Sequence, residues 1–130
     1  MGRHKTYDEQ TVLQALAELF AEAGYEATSI DQISKATGMK RGSIYQAFGS
    51  KANLFRIALR YALEEDPNEH QLADLVFVAL WERASIDPDV RSLTRQAIAT
   101  LEQQSGRRLE ELLKERLYTR SGLSAKHAQV

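Results

Sequence analysis

The chain has 130 residues, 43% of them hydrophobic and 27% charged, with a net charge of −1, the composition of a soluble globular protein. It contains no cysteine, which excludes disulfides, thiolate chemistry and the usual zinc modules. No apolar run is long enough to cross a bilayer, and no apolar stretch follows the basic start Met1–Thr6, so a cytoplasmic protein without a secretory signal or membrane partner is expected.

Helical periodicity runs through nearly every segment and strand-like alternation is missing, which predicts an all-α fold. Thr6 and Glu9 read as a capping box for a first helix whose buried face carries Val12, Ala15, Leu16, Leu19, Phe20 and Ala23. Gly24 ends that helix in a left-handed conformation, with Tyr25 folding back as the apolar contact behind it. A short second helix follows between Ser29 and Thr37, capped by Ser29 with Gln32, burying Ile30, Ile33 and Ala36, and closed by Gly38. After only Gly38 and Met39 a third helix starts at Lys40 and runs to about Phe48, with Ile44 and Phe48 pointing inward. Two short helices joined so tightly, with a glycine in the joint, have the form of a helix-turn-helix.

Ser50 caps a fourth helix, which Asp66-Pro67-Asn68 breaks. A fifth helix, about Glu69 to Ala84, holds the apolar run Leu75–Trp81 and is expected to be covered on most sides. Asp87-Pro88 starts a long helical segment reaching about Leu117, with a kink or break expected between Gln103 and Arg108 around Gly106.

Charge is unevenly spread: residues 1–60 hold eight Lys/Arg against six Asp/Glu, and residues 61–130 hold nine against twelve. The basic groups cluster at Arg3, His4 and Lys5, then at Lys35, Lys40, Arg41 and Lys51, which suits a phosphate-facing surface as well as ordinary solvated charge. His70 and His127 stand without partners at metal-ligand spacing. No nucleophile–base constellation or phosphate-cradling glycine loop is present, so neither an enzyme, a cofactor nor a metal is expected.

The stretch Leu19–Leu54 carries the most specific pattern. It reads Leu19-Phe20-Ala21-Glu22-Ala23-Gly24-Tyr25, then Thr28-Ser29-Ile30, then Gly42-Ser43-Ile44-Tyr45, then Phe48-Gly49-Ser50-Lys51. It resembles the tetracycline-repressor-like (TetR-like) family of transcriptional regulators over these 36 residues, without gaps. The resemblance implies a helix-turn-helix DNA-binding domain in residues 1–50. Residues 51–130 would then be a helical dimerisation and effector-binding region, shortened relative to the family. It implies a repressor that binds a palindromic double-stranded operator as a homodimer, with the third helix in the major groove and heads about 34–36 Å apart or a multiple of that. A compact helix-turn-helix DNA-binding and dimerising factor without ligand sensing is the alternative.

Residue by residue, the resemblance assigns DNA contacts to Thr28, Lys40, Arg41, Gly42, Ser43, Tyr45, Gln46 and Lys51. Thr28 precedes the second helix, whose amides and dipole suit a phosphate, and the same hydroxyl can cap the helix. Arg41 suits a guanine edge and Gln46 an adenine, while Tyr45 and Lys51 match phosphate positions. Gly42 either lets the helix approach DNA closely or packs against the first helix. Gln46 and Ala47 depart from the family, where histidines are common at both positions. An apolar small-molecule effector is expected near Tyr61, Phe77 and Trp81, although filling the core is the simpler role for all three. The subunit interface is expected on Leu109, Leu112 and Leu113.

Overall fold

Helix α1 (Glu9–Ala23) is the strut on which the chain is built, because its apolar face, Val12, Leu16, Ala17, Phe20 and Ala21, is buried along its whole length. The computed structural model describes residues 8–65 and 68–123. Every regular element among them is helical: α2 (Ile30–Thr37), α3 (Arg41–Phe48), α4 (Lys51–Glu64), α5 (Glu69–Val78), α6 (Pro88–Ser105) and α7 (Leu109–Ser121). The all-α expectation is met. Thr6 with its capping box, the Arg3, His4 and Lys5 cluster, the Asp66-Pro67 break and His127 lie outside the described residues.

The local signals account for most boundaries. Ser29 and Gln32 form the expected reciprocal box on α2, and the side chains of Ser50 and Asn68 accept from the third amide of α4 and α5. Such caps contribute about 1 kcal/mol each. Asp87 caps α6 with Pro88 in its first turn, and Gly106 ends that helix in the left-handed conformation. The segment from Pro88 is therefore two helices, broken where the polar stretch placed it.

Helices α2, α4 and α5 pack on α1, and α6 packs on α4 and α5. Phe20, Tyr25 and Phe55 meet at the centre of the first half, with Phe55 edge-on to Phe20 at 5.3 Å and to Tyr25 at 5.6 Å. Because α4 faces both α1 and α6, the two halves of the chain share one core. Asp74 of α5, 8% exposed, binds Arg116 through two hydrogen bonds of 2.9 and 3.1 Å and Arg120 at 3.4 Å. Arg120 also donates to the carbonyls of Ala21 and Glu22, so α7 is latched to the end of α1.

Several expectations fail for identifiable reasons. Gly24 has φ 88° and ψ −179°, which is not the left-handed helical region but one that only glycine occupies readily. Ala36 is exposed; the buried residue after α2 is Met39, in the turn. Helix α5 continues into a π-helical stretch, Ala79–Arg83, and the extra residue per turn shifts the register. The apolar run is thereby buried only as far as Ala79, with Phe77 half-buried, while Leu80 and Trp81 face solvent.

The aromatic pocket does not form from the three residues expected. Trp81 is 78% exposed and stacks on Phe77, ring centroids 6.1 Å apart. Tyr61 is buried, and Gln10 donates to its hydroxyl. Phe77 alone of the three lines a cleft of about 200 Å³ between the end of α1, α5 and α7. Of the three leucines expected at a subunit interface, Leu112 is buried in the core, while Leu109 and Leu113 are half-buried against it.

The backbone conformation makes residue 24 a glycine, and a carboxylate occupies the space beside it. Glu82 reaches across from the π-helical stretch and accepts from the amides of Tyr25 at 3.2 Å and Glu26 at 2.9 Å. A Cβ on residue 24 would lie 2.8 Å from its Oε2. Gly24→Ala is expected to lower stability by about 2 kcal/mol through backbone strain and loss of this clamp. Gly106→Ala, where the surroundings of a Cβ are open, should cost about 1 kcal/mol. Denaturant midpoints at unchanged slope check the difference; equal losses would remove the role given to Glu82.

Candidate nucleic-acid interface

The α2–α3 turn is held rigidly. Gly38 takes φ 76°, Met39 is buried, and the Ser34 hydroxyl donates to the Met39 carbonyl at 2.6 Å. The Met39 amide donates to Thr37 Oγ1, whose hydroxyl donates to the Ile33 carbonyl. These bonds set the direction in which α3 leaves α2.

Helix α3 has two faces of opposite character. Ile44 is 1% exposed and Phe48 half-buried, and these side chains hold the helix to the core. Lys40, Arg41, Gly42, Tyr45, Gln46 and Ala47 are exposed and Ser43 is half-buried. The structure thus brings six of the eight residues assigned to DNA onto one short helix and its cap. At Gly42 nothing lies within 4 Å of an added Cβ. Packing against α1 is therefore removed as the reason for that glycine.

Thr28 precedes α2 as expected, but its hydroxyl is turned inward. Its side chain is fully buried, and its hydroxyl donates to the Gly24 carbonyl at 2.6 Å, tying down the α1–α2 turn. Ser29 is the cap. Thr28 therefore positions α2 and does not present a hydroxyl to solvent.

Lys51, in the first turn of α4, lies with its ammonium 4.5 Å from the centre of the Tyr25 ring, and it donates to the Glu26 carbonyl at 3.4 Å. Arg83 lies over the same ring at 4.2 Å. Burial pushes the Tyr25 phenol above its usual value, against the opposing pull of Arg83. The α1–α2 turn is thus gripped by Glu82 and Arg83 from α5's extension and by Lys51 from α4. This clamp was not legible in the sequence, because its parts are separated by up to 57 residues. The pair formed by Arg41 and Asp31 was also missed. The Arg41 guanidinium donates to the Asp31 carboxylate in the first turn of α2.

Among the described residues, no helix is long and apolar enough to cross a membrane, and no group of three acidic, histidine or cysteine side chains is arranged to hold a metal ion.

Comparison with known proteins points to the same segment. Residues 12–58 match the family model described as bacterial regulatory proteins, tetR family. An uncharacterized HTH-type transcriptional regulator of Bacillus subtilis, YezE, is 41% identical over 64 residues, 49% of this chain and 33% of that protein. The HTH-type transcriptional repressor ComR of Escherichia coli is 36% identical over 70 residues, 54% of this chain and 33% of the relative. The repressor AcnR of Corynebacterium glutamicum is 41% identical over 54 residues, covering 42% and 29%. The chain thus spans about a third of the length of the curated relatives it matches. No solved structure gives a significant match. Residues 12–58, the helices that set and carry the exposed α3 face, are thus similar to the tetR family of bacterial regulatory proteins.

Proposed function

We propose that the chain is a DNA-binding transcriptional regulator, a repressor, with a helix-turn-helix domain in residues 1–50 and a helical region for dimerisation and effector binding in residues 51–130. The observation that carries this reading is the outer face of α3. Its inner residues suffice to hold the helix, yet its outer face presents Lys40, Arg41, Ser43, Tyr45 and Gln46 around a glycine with open space above it. That is the form of a helix built to enter a groove. A homodimer on a palindromic operator places two such faces on successive turns. The exposed Leu80, Trp81, Ile86, Leu117 and Leu123 supply apolar surface for symmetric pairing in place of the inward-facing Leu112.

An effector, in this reading, is a largely apolar small molecule in the cleft floored by Phe77, Val78, Leu113 and Leu117. Glu82 and Arg120 line the same cleft and also hold the end of α1, so occupancy there has a direct physical route to the head. The cleft's volume, about 200 Å³, is below the range of roughly 300–1,000 Å³ usual for ligand pockets. That small size favours the second reading, a constitutive DNA-binding and dimerising factor without ligand sensing.

The test is a titration of the 130-residue chain with duplex DNA at several salt concentrations, with sedimentation of protein and complex. Lys51→Ala is expected to weaken all sequences alike and lower the salt slope by about one unit. Arg41→Ala is expected to lose about 1–3 kcal/mol of discrimination at one base pair per half-site. Absence of binding at low salt would remove the DNA reading, and a monomer on DNA would remove the homodimer.

A further inference from the structure

Asp31 is out of place on a surface meant for phosphates. It is exposed, lies in the first turn of α2, and faces the start of α3, where a carboxylate would repel an approaching backbone. Its partner there is Arg41, and the two belong to helices whose relative placement is fixed by the buried Met39 and the Ser34–Met39 hydrogen bond. The frame sets the two helices at a spacing that lets these exposed side chains pair. The carboxylate engages one terminal nitrogen, Nη1, of the guanidinium.

A guanidinium carries five N–H donors in one plane. With Nη1 committed to Asp31, the plane is oriented while the edge formed by Nε and Nη2 is left for a second planar partner. We propose that Asp31 is a specificity-determining residue of the α3 face, holding Arg41 in the orientation from which it reads the acceptor edge of a guanine. This rests on the DNA-binding reading above. Without Asp31, the Arg41 side chain is free to turn to the nearest phosphate, a contact that carries no sequence information. The arrangement therefore trades phosphate attraction for base discrimination.

The probe is a duplex selected from a randomised library by the wild-type chain, compared with single-substituted versions of it. Asp31→Ala is expected to reduce discrimination roughly five- to tenfold at the base pair whose preference Arg41→Ala also relaxes. It should also raise affinity for unselected duplex, because a negative charge has left the surface. In an Arg41→Ala background, Asp31→Ala should leave discrimination unchanged, which a merely structural role of Asp31 would not produce. Asp31→Asn, which keeps the shape, should behave as Asp31→Ala and guards against loss of α2. The proposal is overturned if Asp31→Ala and Asp31→Asn raise affinity for every sequence equally, or shift preference at a pair that Arg41→Ala does not affect. Failure of the wild-type chain to select or bind any duplex would bring down the DNA reading itself, and this inference with it.

Discussion

Asp74→Ala is expected to destabilise the protein by about 3 kcal/mol, chiefly by stranding a cation. Asp74 is buried, and its two oxygens receive three hydrogen bonds from Arg116 and Arg120. Arg116 is only 19% exposed, and the hydrogen bonds it donates to Asp74 hold its pKa above the usual arginine value. Removing the carboxylate leaves that guanidinium desolvated and without a counter-charge, which costs more than the pair contributes over an apolar alternative. The full penalty for a dry ion pair is reduced here because Arg120 is 39% exposed and retains the carbonyls of Ala21 and Glu22. The control is Asp74→Leu combined with Arg116→Met, which should recover most of the loss by removing both charges together. Denaturant unfolding of the three proteins measures this. A double variant as unstable as Asp74→Ala would show that volume, not charge, governs the site.

Asp87→Ala should lose a comparable amount, about 3 kcal/mol, because one side chain does two jobs. Its Oδ1 accepts from the amides of Asp89 and Val90 at the start of α6, and its Oδ2 accepts from Arg56 at 2.9 Å with Arg83 at 3.8 Å. Burial alone would raise its pKa. The Val90 amide, the Arg56 guanidinium and the Asp89 amide outweigh burial and hold the group below its ordinary value of 3.8. A depressed folded-state pKa means that the stabilisation is complete above the unfolded value and is lost as pH falls through the folded one. The contribution is therefore present at neutral pH and declines below about pH 4. Asp87→Asn keeps an effective cap but cannot pair with Arg56, so it separates the two roles. It should cost less than the alanine at neutral pH and flatten the acid limb of the stability curve. An unaltered acid limb in Asp87→Asn would assign that pH dependence to other carboxylates.

Much of the local organisation was legible in the sequence, for a physical reason that each case shares. The Ser29–Gln32 box, the Ser50 and Asp87 caps, the break at Gly106 and the tight joint at Gly38-Met39 act within four residues along the chain. Their chemistry is complete in the order of residues. The outer face of α3 was legible too, since Ile44 and Phe48 mark its inner side by spacing, and the exposed Lys40, Arg41, Tyr45 and Gln46 follow by elimination.

Tertiary structure decided what depends on neighbours distant in sequence. Thr28 reads as a helix-capping hydroxyl, but the returning end of α1 offers the Gly24 carbonyl and buries it. Trp81 reads as core in an apolar run, but one π-helical stretch turns it outward, and periodicity cannot foresee a change of register inside a continuous helix. Leu112 reads as an available apolar edge, and the latch of Arg116 and Arg120 on Asp74 brings α7 in to bury it. Asp31 and Arg41 lie ten residues apart, and only the angle between α2 and α3 makes them a pair. The sequence by itself determined where helices start, stop and carry apolar faces, because caps and periodicity are short-range. The structure alone decided which polar side chains are spent inside the protein and which remain for a partner, because burial and pairing are properties of packing.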